Sequence, residues 1–260
     1  MSLLGALIVS AVLTFGLTAR VAWPRLIVEE FPSPVRRVLA YVVLSCTLGL
    51  TAVLPLSHLG KPAPEFAVDR IALPELFLGH ALLMSCLLIW WALAGFRPLR
   101  GFLHLRLAQP LQQLRAGILT GLSGWAVTVL TMTLAGALLG VGREASVDGT
   151  VEQIPALMRA IVGLPLLTRV ALVCSAGIVE ELFFRSFLQA RSGLVLSTLL
   201  FTASHASYGM PLMLVGVFAV SVVLGLAFRR RDDIVPCMIA HALFDAIQLF
   251  VILPAVVAAK

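Results

Sequence analysis

Residues 116–142 contain no charged side chain. A run of that length can cross a bilayer as a helix, which takes about 17 to 25 apolar residues. Comparable runs recur along the 260-residue chain, clearly at 2–19, 38–60 and 76–96, and nearly as clearly at 211–228 and 234–259. A shorter candidate, 192–210, holds His205, and an eighth must come from 165–188, where no clean apolar run exists. Hydrophobic residues make up 60% of the chain and charged residues 12%, with mean hydropathy +1.03. Soluble domains carry about twice that charge, so a water-soluble fold is excluded. The expectation is an all-α, polytopic membrane bundle of about eight transmembrane helices. It forms one integral membrane domain over 1–260, with four spans in 1–142 and the polar motifs in 156–260.

The net charge of +6 is distributed by topology rather than as a nucleic-acid surface. Arginine accumulates in alternate connections: Arg20, Arg25, Arg36 and Arg37; then Arg97, Arg100, Arg106 and Arg115; then Arg185 and Arg191; then Arg229, Arg230 and Arg231. The other connections and the tail hold only scattered cations, and the basic side marks the cytoplasm. Both termini are then expected outside the cell (inner) membrane, with the lipid bilayer as a partner and no nucleic acid. The first run lacks a positive leader and exceeds the usual 7 to 15 residues of a signal core, so it is expected to stay as a span. Cys46, Cys86, Cys174 and Cys237 occur singly in four spans and are expected to be packing residues. The segment 96–115 mixes arginine with Leu and Phe and is expected to lie along the headgroups. The loops 62–75 and 143–155 carry no chemical motif.

Ionisable residues inside the spans are concentrated in the second half: Glu180, Glu181, Arg185, His205, His241 and Asp245. If each faced lipid, the two glutamates, the arginine and the aspartate would together cost roughly 10 kcal/mol. They are therefore expected to face one another or a wet cavity. Glu181 and Arg185 stand at i, i+4 and can pair. Glu180 is rotated about 100° from Glu181, which predicts that the two carboxylates do not share a partner. His241 and Asp245 repeat the i, i+4 spacing, and so do Phe201 and His205. His205 lies roughly 20 Å and His241 roughly 10 Å past the cytoplasmic start of its span, so the groups can meet nearer the cytoplasmic side. His80 has no ionisable companion nearby in sequence and reads as a core histidine; His104, in a basic loop, reads as ordinary.

In chain order, "EELFFR" fits EExxxR, "FTASH" fits FxxxH and "HALFD" fits HxxxN/D. Together they resemble the CAAX prenyl protease 2 and bacteriocin-processing family of intramembrane glutamate endopeptidases, over roughly 165–258. The resemblance implies peptide-bond hydrolysis by a water held between a glutamate and a histidine, without a cofactor. By motif position it implies Glu180 as catalytic base and His205 as the group that holds and polarises the water. Glu181 and Arg185 would orient the site or the substrate, with Phe201 in support, and His241 with residue 245 would stabilise the oxyanion. Asp245 stands where prenyl-protein-processing members typically have asparagine. An ionised Asp cannot donate to an oxyanion, so Asp245 either is protonated by burial or orients His241; the second reading is preferred. The implied partner is a membrane-associated protein or peptide substrate.

Other classes use the same residues. Two His and one Glu can bind catalytic zinc, but HExxH is absent. A catalytically silent scaffold or bacteriocin-immunity protein would keep the motifs for packing alone. A transporter with a proton relay would also place ionisable groups in spans, but no inverted repeat is visible. Ser175 and Ser204 lie near the motifs without a GxSxG frame.

Overall fold

The structure, a computed structural model, describes residues 2–16, 31, 33–59, 73–107, 109–140, 160–208 and 210–258. The described residues are helical, with no strand among them. The helices follow the apolar runs: α1 (Leu3–Gly16), α2 (Pro34–Leu48), α3 (Leu78–Leu93) and α4 (Pro110–Leu139) in the first half. The second half has α5 (Leu166–Glu180), α6 (Ala190–Ser204), α7 (Pro211–Arg231) and α8 (Val235–Ile247). Proline at the first turn of α2, α4, α7 and α8 suits a position whose N–H has no helical partner. Four helical segments are long and apolar enough to cross a membrane by length and composition: Pro34–Ser57, Pro110–Leu139, Pro211–Arg231 and Val235–Ala258. The chain is a membrane protein. The loop 143–155 and nearly all of 62–75 lie outside the described residues.

α5 continues without a break into a π-helical stretch, Glu181–Gln189, in which every side chain is buried. π-helical turns are rare and concentrate at functional sites. This one carries most of the first motif into the middle of the bundle. Its phenylalanines anchor it: Phe187 meets Trp90 of α3 edge-on at 4.9 Å, and Phe184 meets Phe201 of α6 at 5.1 Å. Trp90 also packs on Phe31 at 5.0 Å, so the core joins both halves of the chain. Gln189 Nε2 donates to the Gly225 carbonyl at 2.7 Å and Ser197 Oγ to the Phe184 carbonyl at 2.5 Å, which ties the stretch to α7 and α6.

Gly193 breaks the helix within the first turn of α6. Its φ of 82° and ψ of 169° lie in a region that is essentially glycine-only, and the chain turns there to bring the rest of α6 back against the π-helical stretch. On the other face, a Cβ at Gly177 would stand 3.0 Å from Ala242 N and from the Met238 carbonyl. α5 and α8 therefore approach at backbone distance, one turn away from Glu180 and His241.

Part of the segment 96–115 is tied to the bundle through Phe102, His104, Arg106 and Gln113. Phe102 is buried and Arg191 lies 5.1 Å above its ring. The His104 carbonyl accepts the Ile234 N–H at 3.1 Å, while His104 Nδ1 and Arg106 Nη2 meet Asp232 at 2.7 and 2.6 Å. Gln113 donates to Asp233 at 2.7 Å. Phe102 thus finds protein and His104 and Arg106 find the acidic turn between α7 and α8, while Phe96, Leu99, Leu107, Leu111 and Leu114 stay exposed. Cys86 and Cys237 are packed inside, whereas Cys46 and Cys174 lie on the outer surface of the bundle.

Candidate active site

Glu180 closes the α-helical part of α5 and Glu181 opens its π-helical part. Glu181 is fully buried, and its Oε1 lies 3.2 Å from Arg185 Nη1, as the i, i+4 spacing predicts. Arg185, only 1% exposed, also donates from Nη2 to Ser221 Oγ of α7 at 3.3 Å. Its guanidinium sits 4.2 Å from the centre of the Phe201 ring. A desolvated cation over an aromatic face is worth about 2 kcal/mol or more, so Phe201 supplies part of the solvation that burial removes from Arg185.

Among the described residues His241 is hydrogen-bonded to one glutamate and only faces the other. His241 Nδ1 lies 2.8 Å from Glu181 Oε1, and its Nε2 lies 3.9 Å from Glu180 Oε2. The two nitrogens of one imidazole point to different sides of the ring, so a single ring fits between carboxylates that diverge along the helix. A carboxylate only accepts, so Nδ1–H is given to Glu181 and Nε2 is the nitrogen turned toward Glu180. Asp245 Oδ2 stands 3.5 Å from that same Nε2, longer than a normal hydrogen bond. The shortest contact that fixes the His241 ring comes from Glu181 rather than from Asp245.

His205 stands just past the end of α6. Its Nδ1 lies 2.8 Å from the Phe201 carbonyl and 3.0 Å from Ser204 Oγ. Giving Nδ1–H to the carbonyl leaves Nε2 as the lone-pair nitrogen of the neutral ring. The Phe201 and His205 rings are 4.6 Å apart, and Phe201 is 6.0 Å from His241. Glu180 lies within electrostatic reach of both His205 and His241.

His80 is a correction to the sequence reading. Its companion is distant in sequence rather than absent: Nε2 lies 3.2 Å from Glu180 Oε1, and Nδ1 lies 2.9 Å from Ser175 Oγ. α3 thus supplies a side chain to the site, and the first half contributes more than hydrophobicity. An isolated ionisable residue inside an otherwise uncharged run was the signal available in the sequence.

Residues 162–247 match the family model described as type II CAAX prenyl endopeptidase Rce1-like. This segment is similar to that family. The match spans about a third of the chain and contains Glu180, Glu181, Arg185, Phe201, His205, His241 and Asp245. It agrees with the family resemblance carried by the three motifs, and the family is one of membrane proteases. His80 lies outside the matched segment. No curated protein and no solved structure matches the chain.

Proposed function

We propose that the chain is an intramembrane endopeptidase in which Glu180 activates a water for attack on a peptide bond. One observation carries this reading. Glu180 Oε1 is engaged by His80, while Oε2 is buried, has no hydrogen bond among the described residues and stands 3.9 Å from His241 Nε2. That gap is too long for a direct bond and suits groups that share a water.

In the proposed reaction, the water oxygen bonds to the scissile carbonyl carbon as its proton passes to Glu180 Oε2. His205, with Nδ1 committed to the Phe201 carbonyl, orients the water through its lone-pair nitrogen. Negative charge develops on the former carbonyl oxygen, and His241 in its protonated form donates to it from Nε2. Collapse breaks the C–N bond, and Glu180 returns the proton to the leaving amine. The products are a new carboxylate and a new amine. Glu181 and Arg185 hold His241 in place, and Asp245 balances its charge.

Metal-independent chemistry is part of the proposal. Among the described residues, no three His, Cys, Asp or Glu side chains are gathered as metal ligands would be. The substrate is a membrane-associated protein cut near its C-terminus or leader, a prenylated CAAX tail being the kind the family description names. The arginine bias supports insertion in the inner membrane with both termini outside and the site nearer the cytoplasm.

The test compares membrane peptides from cells carrying the wild-type protein or Glu180→Gln. Cleavage products present only with the wild type support the reading. Identical peptide sets, with both proteins folded in the membrane, would mean a silent scaffold. Activity of the purified protein is expected to survive chelation, and its loss together with a bound metal would favour the zinc mechanism.

A further inference from the structure

We propose that His80 is a positioning residue for Glu180, and that Ser175 selects the ring tautomer that does this. The inference rests on the endopeptidase reading and adds a residue that lies outside the three motifs and outside the matched segment.

The hydrogen-bond inventory of the three groups permits one arrangement of the neutral ring. A carboxylate offers no hydrogen, a neutral imidazole offers one, and a serine hydroxyl offers one. Nε2 lies 3.2 Å from Glu180 Oε1, so the ring N–H belongs on Nε2. Nδ1 then carries a lone pair, and Ser175 Oγ at 2.9 Å donates to it. The opposite tautomer would set a lone pair against a carboxylate oxygen. Ser175 sits five residues before Glu180 on α5, so a single helix grips the His80 ring at both nitrogens.

The consequence lies in which oxygen of Glu180 does the work. His80 occupies Oε1, and Oε2 is the oxygen turned toward His241 Nε2. Free rotation of the carboxyl would let either oxygen face the site and would blur the distance to the attacking water. His80 removes that freedom from a helix whose register is fixed further along by Trp90 against Phe187. The side chains of His80 and Glu180 are 16% and 15% exposed, so bulk water competes weakly for this bond.

The experiment measures kcat and KM on a synthetic peptide spanning the cleavage site that differs most between wild-type and Glu180→Gln cells. His80→Leu is expected to lower kcat by about 10²-fold, the scale of a misplaced reacting group, with KM changed less than about twofold. His80→Gln, whose amide can donate to Oε1, is expected to recover a substantial part of that loss. Ser175→Ala is expected to lower kcat several-fold with unchanged thermal stability. Wild-type kcat in His80→Leu overturns the inference, and so does equal loss in the Leu and Gln variants, which would make the ring a packing element. Should His80→Leu not fold, wild-type kcat in Ser175→Ala overturns the inference by itself. Absence of any wild-type-specific product removes the endopeptidase reading and this inference with it. Products lost in Glu180→Gln but undiminished in His80→Leu remove this inference alone.

Discussion

Arg185 reaches back one turn to Glu181, with Nη1 3.2 Å from Oε1 and neither side chain more than 1% exposed. The pair is joined by His241 on the Glu181 side and by Ser221 and Phe201 on the Arg185 side. Four helices therefore meet at one ion pair. Each glutamate keeps a buried Oε2 without a hydrogen bond among the described residues, but Glu181 Oε1 is held by a cation and an imidazole, whereas Glu180 Oε1 meets His80 and its Oε2 is turned toward His241 Nε2.

Removing one member of a buried pair leaves an uncompensated charge and costs about 3–5 kcal/mol. Arg185→Met should accordingly lower the amount of folded protein in the membrane and its thermal midpoint in detergent. Replacing both members, with Glu181→Gln and Arg185→Met together, should recover most of that stability, because no bare charge is left behind. Activity should not return, since the strongest hold on His241 Nδ1 is weakened. A double variant as unstable as Arg185→Met would contradict this account of the pair.

Gly177 sets how closely α5 and α8 approach. A side chain there would press on the Met238 carbonyl and the Ala242 N–H, both at 3.0 Å from the new Cβ. These are backbone atoms and cannot swing aside, so the helix carrying His241 must move. Gly177→Ala should reduce cleavage moderately. Gly177→Val should reduce it by at least tenfold, through the distance between His241 and the glutamates. Peptide cleavage normalised to folded protein checks this, and wild-type rates in the valine variant would refute it.

Outside the spans, Asp232 provides a pH-dependent contribution to stability. Partial burial would raise its pKa, but hydrogen bonds from Arg106 and His104 outweigh this and hold the carboxyl below its ordinary value of 3.8. A carboxyl lowered on folding stabilises above the ordinary Asp range, and the contribution disappears as pH falls through the folded value. The side chain is 58% exposed, so screening limits the contribution to about 1 kcal/mol or less. Asp232→Asn should therefore melt slightly below the wild type at neutral pH. The gap should narrow as pH falls below the ordinary Asp range of about 4. A gap that widens in acid would reverse the assignment.

How much of this was legible in the sequence depends on how far apart the cooperating residues lie. The i, i+4 pair Glu181–Arg185 and the presence of His241 near the glutamates could be anticipated, because helical spacing and the cost of charge in lipid both act locally. The bond between His80 and Glu180 joins residues 100 positions apart, and no spacing rule connects them. The same holds for Asp232 and its partners His104 and Arg106, which belong to a segment expected at the headgroups. Most of the helices follow uncharged runs, so their positions were readable, whereas α5 carries Arg169 and Glu180 and has no such run. The π-helical register of Glu181–Gln189 was not readable, because no propensity in "ELFFRSFLQ" signals it and its Phe184 and Phe187 contacts are made with distant helices.

Phe201 combines two functions that a substitution can separate. Its carbonyl accepts from His205 Nδ1 at 2.8 Å, and its ring lies 4.2 Å from the Arg185 guanidinium and 4.6 Å from the His205 ring. Phe201→Leu keeps the carbonyl, and so keeps the His205 tautomer, while removing the aromatic face. The expected loss is in stability, about 2 kcal/mol for a desolvated cation over a ring. Because the carbonyl bond persists, kcat per folded molecule should fall less than in His205→Ala. Phe201→Trp would keep an aromatic face but must fit a larger ring among Phe184, His205 and His241, so overpacking of about 1–3 kcal/mol is expected. Thermal melting and cleavage of the three variants separate these effects. A Phe201→Leu protein as inactive per folded molecule as His205→Ala would place the ring, rather than the carbonyl, in control of His205.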